Sequence, residues 1–337
     1  MYSEQWVENK IGLGDLALQS GEILRDVTLC YLQRGQPNAP KDNIVLLPTY
    51  YGGAMAGNRP LADDDSPLAD PRWCLIIPAM LGGGESTSPS NAHPDQRGAH
   101  FPALHLADQV EAQRRMLALL WGEVSLALVA GWSLGGMQSL QWGALYPNQV
   151  KRLAAWCSGV RCYPHNRLFL IGLRAALEAD ARYAQGGTPE AGLRAFARVY
   201  ASRAYGPGFL RRQDYRRLGF DSIDALLAWW EQDHLAMNHH DLLCVLDMWA
   251  RADIADNTRF AAGAGAALSR LTMPVLMMPS ATDQYFLVEE AQQDAEQMPV
   301  VDFRVLHSDW GHCAGGPGRE PEAMIQLWQA LQALLAR

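Results

Sequence analysis

Apolar residues along this chain fall into runs of two periods, and their alternation sets the expected architecture. Residues 16–24 and 27–32 alternate apolar and polar positions around Ser20-Gly21, which predicts an antiparallel hairpin at a sheet edge. The runs at 44–47 and 73–77 are short and continuously apolar, the pattern of strands covered on both faces, an apolar run lies at 125–130, and 152–156 reads as a further strand. Residues 107–120 and 137–145 carry helical spacing instead. Gly, Pro, Asn and Ser clusters mark loops at 36–43, 67–72 and 82–101. Strands alternating with helices in this way imply a mostly parallel, doubly wound sheet flanked by helices.

The pattern changes after Gly159. From 161 to 269 only helical signals occur, among them 168–179, 191–204, 223–233 and 242–252. Trp229, Trp230 and Trp249 sit on these segments and read as packing residues. Strand patterns resume at 274–278 and 302–306, and a final helix is expected over 322–336. The division is therefore 1–160 and 270–337 as two parts of one α/β core, with 161–269 inserted as an all-helical lid.

Composition narrows the partners. A net charge of −8 with no basic run argues against nucleic acid. No uninterrupted apolar stretch reaches the ~18 residues of a membrane span, and Met1-Tyr2-Ser3-Glu4-Gln5-Trp6 lacks signal-peptide features, so a cytoplasmic protein is expected. The six cysteines show no Cys-x-x-Cys spacing, which suggests free thiols rather than a metal site. Cys157 and Cys313 fall near the loops singled out below, and a structural role is preferred for both.

The chemistry centres on Gly131-Trp132-Ser133-Leu134-Gly135. An apolar strand runs into it and a helix leaves it, and a serine at such a sharp turn presents its hydroxyl clear of the sheet. With 30 glycines in the chain, the bare pattern could arise by chance; the flanking strand and helix distinguish it. A serine nucleophile needs a base and an orienting acid. In chain order after Ser133, Asp283 follows the strand at 274–278 and His312 follows the one at 302–306. Asp283 could instead cap a helix expected over 288–298, and His307 and Asp309 compete for the same loop. The preferred set is Ser133, Asp283 and His312. The backbone N–H of Leu134 at the helix start can hold an oxyanion. The second donor is assigned to Tyr50 in the loop 48–53, with Tyr51 as close rival; Tyr51 and Trp132 are expected to wall the substrate pocket.

These residues resemble the homoserine O-acetyltransferase family of α/β-hydrolases, and more particularly its hydrolase-like relatives. The matching stretches are 131–138 with Trp142 and Tyr146-Pro147, Ser86-Thr87-Ser88-Pro89-Ser90 with Phe101-Pro102, Asp108 with Gln113, Asn238 and Gly311-His312. The resemblance implies the α/β-hydrolase fold, a Ser-His-Asp triad, a ping-pong acyl-enzyme route, a helical lid and often dimerisation through it. The departures bear on the acceptor. After His312 the chain reads Cys313-Ala314-Gly315-Gly316-Pro317-Gly318, without a carboxylate until Glu320, and Tyr50-Tyr51-Gly52 replaces the family's Leu-Thr-Gly turn. An acceptor ammonium would lack its partner, and burying it unpaired is costly.

The expected activity is hydrolysis of an acyl ester, small amide or thioester, with no cofactor or metal and only small-molecule substrates. The alternative is an O-acyltransferase moving an acyl group from acyl-CoA to a small acceptor. A non-catalytic ligand-binding module on the same scaffold is the third reading.

Overall fold

The two amino-terminal strands, β1 (Val7–Ala17) and β2 (Ile23–Arg34), form the expected antiparallel hairpin at one sheet edge. The structure is a computed structural model that describes residues 5–257, 259–260 and 263–337, so most of the stretch 1–6 read above lies outside it. β1 begins well ahead of its alternating run, because pairing with β2 recruits polar residues at an edge where only one side is covered.

The continuous apolar runs become β3 (Ile44–Leu46), β4 (Cys74–Pro78), β5 (Leu126–Trp132), β6 (Leu153–Trp156) and β7 (Val275–Met278), every residue of which is buried. The last strand, β8 (Val301–Phe303), is shorter than the run 302–306; beyond it only single bonds such as Leu306 N–H to the Pro279 carbonyl continue the pairing. The strand order is β1-β2-β4-β3-β5-β6-β7-β8, with β3 to β8 parallel. The chain steps outward from β3 to β4 and then returns to place β5 on the other side of β3. That reversal is a topological switch point, and ligands of open α/β sheets bind beyond the carboxyl ends of the strands there.

Helices α1 (Leu106–Trp121) and α2 (Leu134–Leu145) follow β4 and β5. Between β6 and β7 lie α3 (Pro164–Glu178), α4 (Ala181–Ala184), α5 (Glu190–Ala204), α6 (Pro207–Arg211), α7 (Ile223–Leu235), α8 (His239–Arg251) and α9 (Ala264–Leu268). Among the described residues this insertion contains no strand, and a single bridge between Arg161 and Asp253 joins its two ends. Asn238 caps α8 with its side-chain oxygen. α10 (Val288–Ala295) and α11 (Pro321–Leu335) flank the last strands. Among the described residues no helix is long and apolar enough to cross a membrane.

Two features depart from the sequence reading. Trp249 and Trp230 are buried as expected, but Trp229 is 44% exposed; on α7 it faces away from its neighbour Trp230 because adjacent helical positions diverge by about 100°. The loop 82–101 is not featureless. Its Ser86 and Thr87 hydroxyls accept the N–H groups of Cys30 and Thr28 at 3.0 and 2.8 Å, stitching the loop to β2.

Candidate active site

Ser133 stands between β5 and α2 with φ 57° and ψ −127°, a strained conformation for a residue with a side chain. Its glycine neighbours are dictated by space. A Cβ on Gly131 would lie 2.3 Å from the Gly135 carbonyl carbon, and one on Gly135 would lie 2.5 Å from the Pro48 oxygen. The turn is held from both sides: Ser133 N–H donates to the Trp156 carbonyl at 3.1 Å, and the Ser158 hydroxyl donates to the Ser133 carbonyl at 2.7 Å.

The structure brings the three predicted side chains together. His312 Nε2 lies 2.9 Å from Ser133 Oγ, and His312 Nδ1 lies 2.7 Å from Asp283 Oδ2. All three are buried. Asp283 also accepts the N–H groups of Tyr285 and Phe286 on Oδ1, at 2.7 and 3.2 Å, so it is fixed as a turn cap and faces His312 at once. His312 is delivered by Gly311, whose φ of 64° and close approach to the Gly206 nitrogen (2.6 Å from a notional Cβ) exclude a side chain. Trp132, Tyr285 and Phe286 pack around the imidazole with ring centroids at 4.9, 4.7 and 5.7 Å. The competitors lie elsewhere: His307 is exposed, and Asp309 pairs with Arg212.

The Pro48–Tyr50 backbone abuts the start of α2, and the N–H groups of Leu134 and Tyr50 bond to no group among the described residues. The Thr49 carbonyl accepts from Gln138 Nε2 at 2.9 Å. Because a trans peptide points its C=O and N–H oppositely, the Tyr50 N–H is directed away from Gln138. Tyr51 is part of the cavity wall, and its hydroxyl donates to the Leu242 carbonyl at 3.2 Å, so that hydroxyl is not a free donor. Trp132 also lines the cavity. Cys157 and Cys313 are buried, and burial pushes both thiols up. Glu320 is taken up by the Ser308 hydroxyl and does not line the cavity.

The cavity over Ser133 has a volume of about 690 Å³ and is lined in part by residues of α5, α7 and α8. Sequence reasoning missed its charged members: Arg319, Glu85, Asp233 and Asp241. None has a spacing signal, because each reaches the site from a different loop or helix. Asp241 also binds the Ser90 N–H and hydroxyl at 2.9 and 2.6 Å, which ties α8 to the serine-rich loop.

A family model described as alpha/beta hydrolase fold matches residues 43–316. The ethyl acetate hydrolase of Pseudomonas veronii is 30% identical over 333 residues, covering 97% of this chain and 95% of that protein. The homoserine O-acetyltransferase of Mycobacterium tuberculosis is 28% identical over 340 residues, covering 90% and 89%. A solved structure of the acetyl esterase MekB superposes with a TM-score of 0.92 at 30% identity, covering 98% of this chain and 97% of that one.

Proposed function

The chain belongs to the alpha/beta hydrolase fold family and is an enzyme, and from that premise we propose that it hydrolyses short acyl esters through Ser133, His312 and Asp283. The observation that carries this reading is the unbroken contact from Asp283 through His312 to Ser133, at 2.7 and 2.9 Å. The named activities of the relatives, on ethyl acetate and acetyl esters, favour a small acyl group.

In this mechanism His312 Nε2 takes the Ser133 proton as Oγ forms a bond to the ester carbonyl carbon. Asp283 holds Nδ1–H and stabilises the imidazolium. The tetrahedral oxyanion sits at the N–H groups of Leu134 and Tyr50, where loss of one donor typically costs about 10²–10³ in turnover. Collapse breaks the carbon–oxygen bond to the alcohol, which leaves with the proton from Nε2. Water, deprotonated by His312, then attacks the acyl-enzyme; the acid departs and Ser133 recovers its proton. The insertion 161–269 serves as a lid that limits access of other acceptors to that step.

Steady-state hydrolysis of ethyl acetate and p-nitrophenyl acetate by wild type and Ser133→Ala tests the reading, with a fluorophosphonate probe for covalent labelling. Turnover and labelling that both vanish in the variant are expected. Acetyl-homoserine formed from acetyl-CoA and homoserine in preference to hydrolysis would overturn it in favour of acyl transfer.

A further inference from the structure

Arg319 is a cation built into the wall of the reactive cavity with no carboxylate in ion-pair contact among the described residues. Its guanidinium stands 5.4 Å from the Trp132 ring centre, beside the residue next to Ser133. One N–H contacts Cys313 Sγ at 3.5 Å, beside the residue next to His312. The Tyr50 phenol lies against it as well. Among the described residues no ion pair joins it to a carboxylate, and the groups acting on it most are Cys313, Tyr50 and Tyr205.

The placement is specified by the backbone. A Cβ on Gly316 would fall 2.5 Å from Arg319 Cδ and 2.8 Å from Nε, so only glycine there lets the arginine stem lie flat against the chain. Gly53 and Gly57 do the same for Tyr50: notional Cβ atoms fall 2.4 Å from its ring and 2.4 Å from its hydroxyl. The acid of the same cavity that acts on Arg319, Asp233 on α7, is not in ion-pair contact with it, and burial holds that carboxyl above the ordinary range. A desolvated guanidinium with the Cys313 thiol, the Tyr50 and Tyr205 phenols and an indole face around it, and Asp233 out of ion-pair contact, is costly unless an anion completes it. Its planar fork of donors matches a carboxylate.

Resting on the esterase reading, we infer that Arg319 is a specificity-determining residue and that the preferred substrates are esters bearing a free carboxylate, on either the acyl or the alcohol half. The carboxylate pairs with the guanidinium while the ester carbonyl reaches Ser133.

The test compares matched esters. Monomethyl succinate against methyl butanoate places the charge on the acyl half; 3-acetoxypropanoate against propyl acetate places it on the alcohol half. Wild type should favour the charged member of at least one pair by tenfold or more in kcat/KM, and the favoured pair identifies the half. Arg319→Met should lower that ratio at least tenfold, with partial recovery in Arg319→Lys. A packing role would lower both members equally and leave the ratio unchanged, which overturns the inference, as does a wild type that favours the neutral esters. If no ester turns over, the esterase reading fails on its own. Calorimetry with succinate on Ser133→Ala and on Ser133→Ala/Arg319→Met then decides the cation site, which stands only if the second change abolishes binding.

Discussion

The indole N–H of Trp132 donates to the backbone carbonyl of His312 at 3.2 Å, and the two rings stack at 4.9 Å between centroids. The residue before the proposed nucleophile thus fixes the loop that carries the proposed base, across 180 positions of chain.

Trp132→Phe keeps the stacking surface and removes the donor. The bond from the indole to the His312 carbonyl is then lost, at a cost of ~0.5–1.5 kcal/mol. The expected result is a roughly tenfold lower kcat on a short ester, since about 1.4 kcal/mol corresponds to a factor of ten, with far-ultraviolet circular dichroism unchanged. A variant within twofold of wild type in both kcat and Tm would show that the bond does not position His312.

The elbow glycines make a sharper prediction. Gly131→Ala and Gly135→Ala would each press a methyl group onto backbone at 2.3 and 2.5 Å, where no flexible side chain can yield. Overpacking typically costs ~1–3 kcal/mol, and an unyielding backbone puts these two at or above that range. Gly172→Ala on α3 is the control, because nothing lies within 4 Å of its notional Cβ. It should gain up to ~1 kcal/mol from helix propensity. Thermal unfolding of the three variants checks the ordering.

These examples show which features were legible in the chain. Gly131-x-Ser133-x-Gly135 could be read because a local steric demand leaves a local pattern, and the buried strands β3 to β7 could be read because both of their faces are covered. Asp283 and His312 were legible through chain order and their places after strands. Arg319 was not, since a cation that enters a cavity through the shape of Gly316 and the face of Trp132 leaves no periodicity. β1 was half legible, because an edge strand is held by its neighbour's hydrogen bonds rather than by its own apolar residues. The exposure of Trp229 depends on helix phase, which composition alone does not report.

Asp294 gives a pH-dependent prediction. It is fully buried, accepts the Tyr163 hydroxyl at 2.8 Å, has Arg161 at 3.8 Å, and burial pushes its carboxyl up from 3.8 to about 6. The folded state therefore binds the proton more tightly than the unfolded chain. This contribution is fully present below pH 3.8 and is lost as pH rises through about 6, roughly 3 kcal/mol in all. Urea unfolding of wild type and Asp294→Asn across pH 4 to 7 should show the wild type losing stability relative to the variant over that interval. Parallel profiles would exclude the buried proton.

Thiol chemistry separates a serine from a cysteine route. Burial pushes Cys74, Cys162 and Cys244 to about 12. At pH 8 such a thiol is about 10⁻⁴ ionised, against about a quarter for an ordinary one. Ellman's reagent should react with the folded protein far more slowly than with the six thiols of the unfolded chain. Iodoacetamide should leave ester hydrolysis intact, and rapid inactivation would point to a reactive cysteine instead.

A buried relay of amides reaches the proposed oxyanion loop from outside it. Trp142 Nε1 donates to Gln113 Oε1 at 2.7 Å, Gln113 Nε2 donates to Gln138 Oε1 at 2.8 Å, and Gln138 Nε2 donates to the Thr49 carbonyl at 2.9 Å. The last bond orients the 49–50 peptide, and with it the Tyr50 N–H. Gln138→Leu removes that hold, so the peptide can rotate and present its carbonyl to the cavity in place of its N–H. Outright loss of such a donor costs about 10²–10³ in turnover, and a peptide that samples both orientations should lose about 10–100-fold. The loss should fall on kcat, with KM little changed, because the donor acts on charge that develops after binding. Gln113→Leu leaves the Gln138 amide in place but unsupported, so its kcat should fall less. Both variants leave a buried amide unpaired and should lose comparable stability, ~1–3 kcal/mol. Equal loss of Tm with unequal loss of kcat is the outcome that assigns the relay to the oxyanion loop; a kcat that follows Tm alike in both would reduce it to core packing.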